Sequence, residues 1–201
     1  MNDLQLRNKF PKVPPFNHGY LIVAVSFLTM MIVFGMYFSF GVFLKPMLIG
    51  FGWTTAIISG AFSLSMLVFG LFGVGIGGLN DKFGPRMMLS LSGVLLGLGF
   101  LLMSQISSIW HLYLLQGLMI GTAVSCMWVP INSTIARWFV DRRTLMTGLV
   151  STDTGFGGLV IPLFATHLIL NFNWRISFIV LGSIILAIVT LAAQFMKRAT
   201  Q

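Results

Sequence analysis

Acidic side chains are nearly missing from this 201-residue chain, which has four against 12 Lys and Arg, and cysteine occurs once, at Cys126. A single cysteine excludes an intrachain disulfide. Four carboxylates, three of them outside the apolar stretches, leave little from which to build general acid–base catalysis. No Ser/His/Asp or Cys/His arrangement, phosphate-binding glycine loop or metal-ligand spacing is present, so neither a metal nor an organic cofactor is expected. His18, His111 and His167 are far apart in sequence, each near the end of an apolar run.

What fills the chain is hydrocarbon. Apolar residues make up 57% and charged residues 8%, and the mean hydropathy is +0.95. The apolar residues come in long blocks, and about 20 in a row span a bilayer as a helix whose backbone amides are satisfied internally. Six blocks are predicted: Tyr20 to Leu44, Thr55 to Gly77, Met87 to Gln105, Leu112 to Ala136, Thr144 to Leu170, and Ile176 to Phe195. The first is too long for a signal-peptide core and reads as a retained helix. The organisation is thus a polar lead-in over 1–19, a six-helix bundle over 20–195 and a short tail over 196–201.

The formal charge of +8 sets topology rather than marking a nucleic-acid surface. Arg7, Lys9, Lys12, Lys82, Arg86, Arg137, Arg142, Arg143, Lys197 and Arg198 fall on one side of the six blocks, against Lys45 and Arg175 on the other. Cytoplasmic loops carry the Lys/Arg excess, which predicts both termini in the cytoplasm. Trp53, Trp110 and Trp174 fall at the opposite helix ends, where indole rings suit the headgroup layer.

The blocks are not equivalent. The first, fourth and fifth carry polar residues in hydrocarbon, including Thr29, Ser125, Asn132 and Asp153. Such residues tend to face a bundle interior or aqueous cavity. A cavity lined by helices 1, 4 and 5, with helices 3 and 6 outside, is the simplest expectation. Asp153 lies ten residues beyond Arg143, about 15 Å along a helix, which places it near mid-membrane. An ionised carboxylate there costs about 2.5–3.5 kcal/mol, so Asp153 is expected to exchange a proton or tune selectivity. Glycines cluster late in helix 2 (Gly70, Gly73, Gly75, Gly77, Gly78) and within helix 5 (Gly155, Gly157, Gly158), as in membrane helices that approach closely.

The stretch GGLNDKFGPR at 77–86 resembles the loop between helices 2 and 3 of the major facilitator superfamily, whose pattern is Gly-x-Leu-x-Asp-Arg/Lys-x-Gly-Arg/Lys-Arg/Lys. Gly77, Leu79, Asp81, Lys82, Gly84 and Arg86 match, and Pro85 replaces one basic residue. The resemblance implies one half of that fold (two inverted repeats of three helices), alternating access, and a charged latch at the cytoplasmic face, to which the basic loop of Arg137, Arg142 and Arg143 is adjacent. It also implies that the latch closes on a second six-helix bundle, so Asp81 is expected to find no partner within this chain.

Four further stretches, FSFGVFLKPM, FGWTTAIISGAFSLSMLVFG, ARWFVDRRTLMTGL and NWRISFIVLG, are similar to the monocarboxylate porter and oxalate/formate antiporter branch, especially its bacterial members. That resemblance implies a small organic anion as solute, a proton as possible coupling ion, and a bacterial inner membrane. Three departures accompany it. Asn17-His18-Gly19-Tyr20 lacks the acid that opens helix 1 in animal members, and Tyr113 stands where drug antiporters carry Arg before Gln116-Gly117. Asp153 occupies a position that the family keeps small. Gly148, Gly157 and Pro162 retain part of an antiporter glycine-proline pattern in helix 5. Two other classes remain open: a membrane scaffold or regulatory subunit, and a carrier of another metabolite or drug in exchange for protons. The chain is expected to be either a fragment of a longer protein or a half-transporter that pairs.

Overall fold

The computed structural model describes residues 16–138 and 143–195, and every regular element among them is helical. Among the described residues six helices are long and apolar enough to cross a membrane: Val23–Phe51, Thr55–Phe83, Pro85–Met103, Ile109–Arg137, Asp153–Asn171 and Trp174–Gln194. They are the expected six, with informative differences at their ends. The chain is therefore an all-α, multi-pass membrane protein.

Helix α1 comprises Phe16–Phe38 and Phe40–Phe51, joined at Ser39. Ser39 donates its hydroxyl to the Gly35 carbonyl at 2.6 Å, and Val42 N–H reaches back only three residues to Ser39, so the ladder tightens and bends here. The sequence placed the end of this helix at Leu44, because Lys45 and Pro46 follow. The helix instead continues to Phe51 and stops at Gly52, which takes a left-handed φ of 66° and donates to the Leu48 carbonyl. Lys45 is thus inside α1 rather than in an outer loop, which corrects the expectation.

Helix α2 runs Thr55–Phe83 and α3 runs Pro85–Met103. The join is a single residue. Gly84 adopts φ 87°, a conformation L side chains avoid, and Pro85 starts α3 at a position where its missing N–H loses nothing. Hydropathy put the end of α2 near Gly77, but loss of apolar character ended the hydrocarbon span and not the helix. Asp81 and Lys82 lie on its last turn, beyond the apolar part.

Helix α4 begins with Ile109–Leu112, widens into a π-helical segment over Tyr113–Ile120 and continues as Gly121–Trp138. Helix α5 consists of Arg143–Ser151 and Asp153–Asn171, separated by Thr152. Helix α6 spans Trp174–Phe195. The lead-in 1–15, the tail 196–201, and the charges Arg7, Lys9, Lys12, Arg142, Lys197 and Arg198 lie outside the described residues, as does the side chain of Arg143.

Packing shows the internal repeat. The most extensive contacts are α3 with α6, α1 with α5, α2 with α4, and α3 with α4, with α1 against α6 next. Exchanging α1, α2, α3 for α4, α5, α6 turns the α3–α6 pair into itself and each of the other pairs into another of the set. Because each repeat crosses three times, the two must run oppositely through the bilayer.

Glycine sets the closest approaches, in the helix-5 cluster at Gly157 alone and not in the helix-2 cluster. A Cβ on Gly35 would lie 2.5 Å from the Gly157 carbonyl oxygen, and one on Gly121 would lie 2.7 Å from that of Ser65. Gly97 and Gly182 serve the same purpose between α3 and α6. Gly70, Gly75, Gly77, Gly78, Gly148, Gly155 and Gly158 meet nothing within 4 Å, so of the helix-5 set Gly148, Gly157 and Pro162 only Gly157 makes a glycine-dependent contact. Pro162 lies inside the helix, its carbonyl accepting from Thr166 Oγ1 at 2.7 Å.

Helices α1 and α4 are the most enclosed, and α2 and α5 the least. Helices α3 and α6 are half-enclosed, Phe178 of α6 tilting against Phe100 of α3 and stacking on Phe43 of α1 at 4.0 Å. Their remaining faces, with Leu91, Val94, Leu98, Ile176 and Ile179, are exposed. At the end of the bundle opposite Asp81, Phe51 stacks on Trp53 at 4.3 Å and meets Trp174 edge-on at 5.7 Å.

Candidate functional site

The matched motif sits where α2 ends. Asp81 Oδ1 accepts from Arg137 Nη2 at 2.6 Å, joining the last turn of α2 to the last turn of α4. The expectation that Asp81 finds no partner within the chain is overturned: it closes on α4 of its own bundle. The reason is the extra length of α2, which carries Asp81 out to the depth of Arg137. Both side chains are more than half exposed, at 63% and 55%. Exposed pairs of this kind contribute about 0–1 kcal/mol. A double-mutant cycle of Asp81→Asn and Arg137→Gln, read by thermal unfolding, should therefore give a coupling of under about 1 kcal/mol. A larger value means that the pair is shielded from water.

One residue that sequence reading passed over stands beside it. Asn80 is buried and donates Nδ2 to Ser133 Oγ at 3.0 Å, while its Oδ1 has no partner. Ser133 Oγ in turn donates to the Pro130 carbonyl at 3.0 Å. Asn80 and Asp81 together fasten α2 to α4 through one half-buried and one exposed bond. An amide next to the matched Asp was the available signal, hidden because the motif leaves that position free. Gly77 and Leu79 face outward on the same turns, and Lys82 lies over its neighbour Phe83 at 5.4 Å. Arg86 is exposed on the first turn of α3.

The four polar residues expected to line a cavity do not meet. Thr29 is buried and donates to the Val25 carbonyl of its own helix at 2.7 Å. Asn132 Nδ2 donates to the Trp128 carbonyl, also in its own helix, at 2.9 Å. Ser125 is buried and crosses to α2, donating to the Phe69 carbonyl at 3.1 Å. None bonds to another of the four. Within this bundle α1 and α4 are the most enclosed helices and α2 and α5 the least. Polarity alone did not distinguish a hydroxyl that bonds its own backbone from one that faces water.

Asp153 is the exception. It is completely buried on the first turn after the Thr152 break. Its Oδ1 accepts from Thr154 Oγ1 at 3.0 Å, and its Oδ2 has no partner. Gly157, one turn further on, backs onto the Met31 carbonyl of α1, so Asp153 lies on the face that α5 turns toward α1. No Lys, Arg or His among the described residues bonds to it.

Six spans, a three-helix repeat that exchanges pair for pair, and the motif at the α2–α3 join suggest one family, and comparison decides it. Residues 25–200 match the Major Facilitator Superfamily. The chain belongs to that superfamily. It is 32% identical to monocarboxylate transporter 13 of Rattus norvegicus, over 90% of this chain and 42% of that protein. It is 31% identical to the MFS-type transporter pytF of Aspergillus terreus, over 78% of this chain and 54% of that one. With the uncharacterized MFS-type transporter YhjX of Escherichia coli it shares 26%, over 79% and 43%. The chain thus spans about half or less of the length of these relatives. The relatives are named as transporters, and the superfamily is a family of transporters rather than of enzymes.

Proposed function

We propose that this chain is one bundle of a secondary transporter that moves a small organic anion, such as a monocarboxylate, by alternating access. The observation that carries the reading is Asp153: a fully buried carboxylate, one oxygen unpartnered, on the helix face that abuts α1. A scaffold gains nothing from such a group, whereas a carrier uses it to take up and release a proton as α5 shifts at Thr152. The similarity to monocarboxylate transporter 13 supports the anion class.

The excess of Lys and Arg supports a cytoplasmic Asp81–Arg137 end, and the Escherichia coli relative supports the inner membrane. The second six-helix bundle, whether a further part of the protein or a partner chain, seats on α2 and α5, the two least enclosed helices. The two bundles then rock about a mid-membrane site. Uptake of labelled lactate into proteoliposomes tests the reading. Flux driven by an inward proton gradient is expected when this chain is reconstituted with a C-terminal six-helix half, and none with either half alone. Absence of flux for every small anion, with both halves folded in the same vesicles, makes the chain a scaffold. Flux of neutral metabolites or drugs instead, against a proton gradient, leaves the transporter and removes the anion.

A further inference from the structure

The proposed solute raises a question of recognition that the charges do not answer by themselves. No Lys or Arg among the described residues lies at mid-depth, so this bundle cannot grip an anion there by charge. What it presents at that depth is aromatic. Phe69 is the middle residue of the span Thr55–Phe83, and Trp128 lies five residues, about 7 Å, from the middle of Ile109–Arg137. The Trp128 ring stands edge-on to Phe34 at 5.1 Å and 73° and to Phe69 at 6.4 Å and 79°, so one indole is held by α1 and α2 together. Phe34 meets Phe38 at 6.2 Å, and Phe38 is 40% exposed. Trp128 is half-buried, as is Asn132 one turn along the same face.

A cation stands further along α1. Lys45 follows Phe38 by seven residues, two helical turns or about 10 Å, and is exposed. It makes no ion pair among the described residues, where the Asp81–Arg137 pair is the only one. Lys82, Arg86, Arg137 and Arg175 all stand at helix ends, so Lys45 alone among the described cations lies well inside a span.

We propose that Trp128, Phe34, Phe38 and Phe69 form a wall of the solute site, and that the solute is a carboxylate bearing a flat apolar group, with its charge turned toward Lys45. This rests on the anion reading above and narrows it. Ring faces and edges in a dry site hold a flat group by dispersion and quadrupole contacts that a two- or three-carbon acid cannot make. A long-range attraction to one ammonium then orients the molecule.

The test is equilibrium dialysis of the full chain paired with a C-terminal six-helix half in nanodiscs, with binding taken as the excess over discs that carry the C-terminal half alone. The probes are 3-phenylpropanoate, propanoate and neutral 3-phenylpropanamide. Phenylpropanoate is expected to bind at least tenfold more tightly than propanoate, with Trp128→Ala and Phe38→Ala each cutting that preference to threefold or less. Lys45→Gln is expected to bring the acid and the amide together while leaving the aromatic preference intact. Circular dichroism confirms that each variant is folded, and Trp128→Phe, which keeps a ring, should retain most of the preference. Equal binding of phenylpropanoate and propanoate, no binding of any probe, or a preference that survives Trp128→Ala overturns the wall; lactate flux, measured separately, decides the transporter reading. If acid and amide bind alike in the parent chain, Lys45 does not orient the solute, and the anionic part of the proposal fails even where the aromatic part stands.

Discussion

Replacing Gly157 by Val is expected to destabilise the bundle by at least about 3 kcal/mol, the upper end of ordinary overpacking. The geometry leaves no room to yield. A Cβ at this position would overlap the Met31 carbonyl oxygen and sit 3.2 Å from the Gly35 amide nitrogen, and both are backbone atoms of α1. A side chain could turn away, but a helix backbone has to move as a unit. Helices α1 and α5 must therefore separate, and their interface is among the largest in the molecule. Gly155 and Gly158 supply the control, since a Cβ there meets nothing. Val at either should leave thermal unfolding in detergent within about 1 kcal/mol of the parent, because only helix propensity changes. If Gly157→Val unfolds with those controls, α1 and α5 do not pack as described.

The second large effect concerns Asp153. Asp153→Asn keeps the size of the side chain and its ability to accept from Thr154, and removes the ionisable proton. In the reconstituted transporter it is expected to lower proton-driven flux at least tenfold while solute exchange without a gradient persists. The dependence of flux on pH should flatten between about pH 5 and 8, the range over which a coupling group has to load and unload. Flux and pH profile equal to the parent's would make Asp153 a purely structural carboxylate bonded to Thr154. Asp153→Glu restores the proton but reaches one carbon further toward α1, so partial recovery of coupling with reduced rate separates proton exchange from packing.

Composition was enough to read the span count, because hydrocarbon thickness acts on whole segments, whereas the family and its three-helix repeat were legible only through the resemblance carried by residues 77–86. Helix ends were harder. Lys45 and Asp81 both look like boundaries to a hydropathy profile, yet both are inside helices that continue past the apolar stretch. The internal contacts were harder still. Clustered glycines looked alike in the sequence, but Gly157 touches a neighbouring backbone while Gly155 and Gly158 touch nothing. Only the rotation of α5 about its own axis distinguishes them. The π segment of α4 left no mark in the sequence, since Tyr113–Ile120 is as apolar as the α-helical turns around it.

The partner of Asp81 escaped for a different reason. Family resemblance pointed across to a second bundle, whereas the 2.6 Å bond to Arg137 lies within this one. Both can hold in turn only if the carboxylate exchanges partners, which its exposure allows.

The two ends of the bundle are fastened by unlike materials: the α2 and α4 ends by an open ion pair, and the ends of α1 and α6 by stacked rings of Phe51, Trp53 and Trp174. Dissolved electrolyte weakens the first within a Debye length of about 8 Å at physiological strength and leaves the second untouched. A bilayer separates two baths, so salt in the bath at the Asp81–Arg137 end acts on a fastening that salt in the other bath does not reach. Raising electrolyte on that side is expected to weaken the Asp81–Arg137 contact while leaving the stacked rings at the far end unchanged.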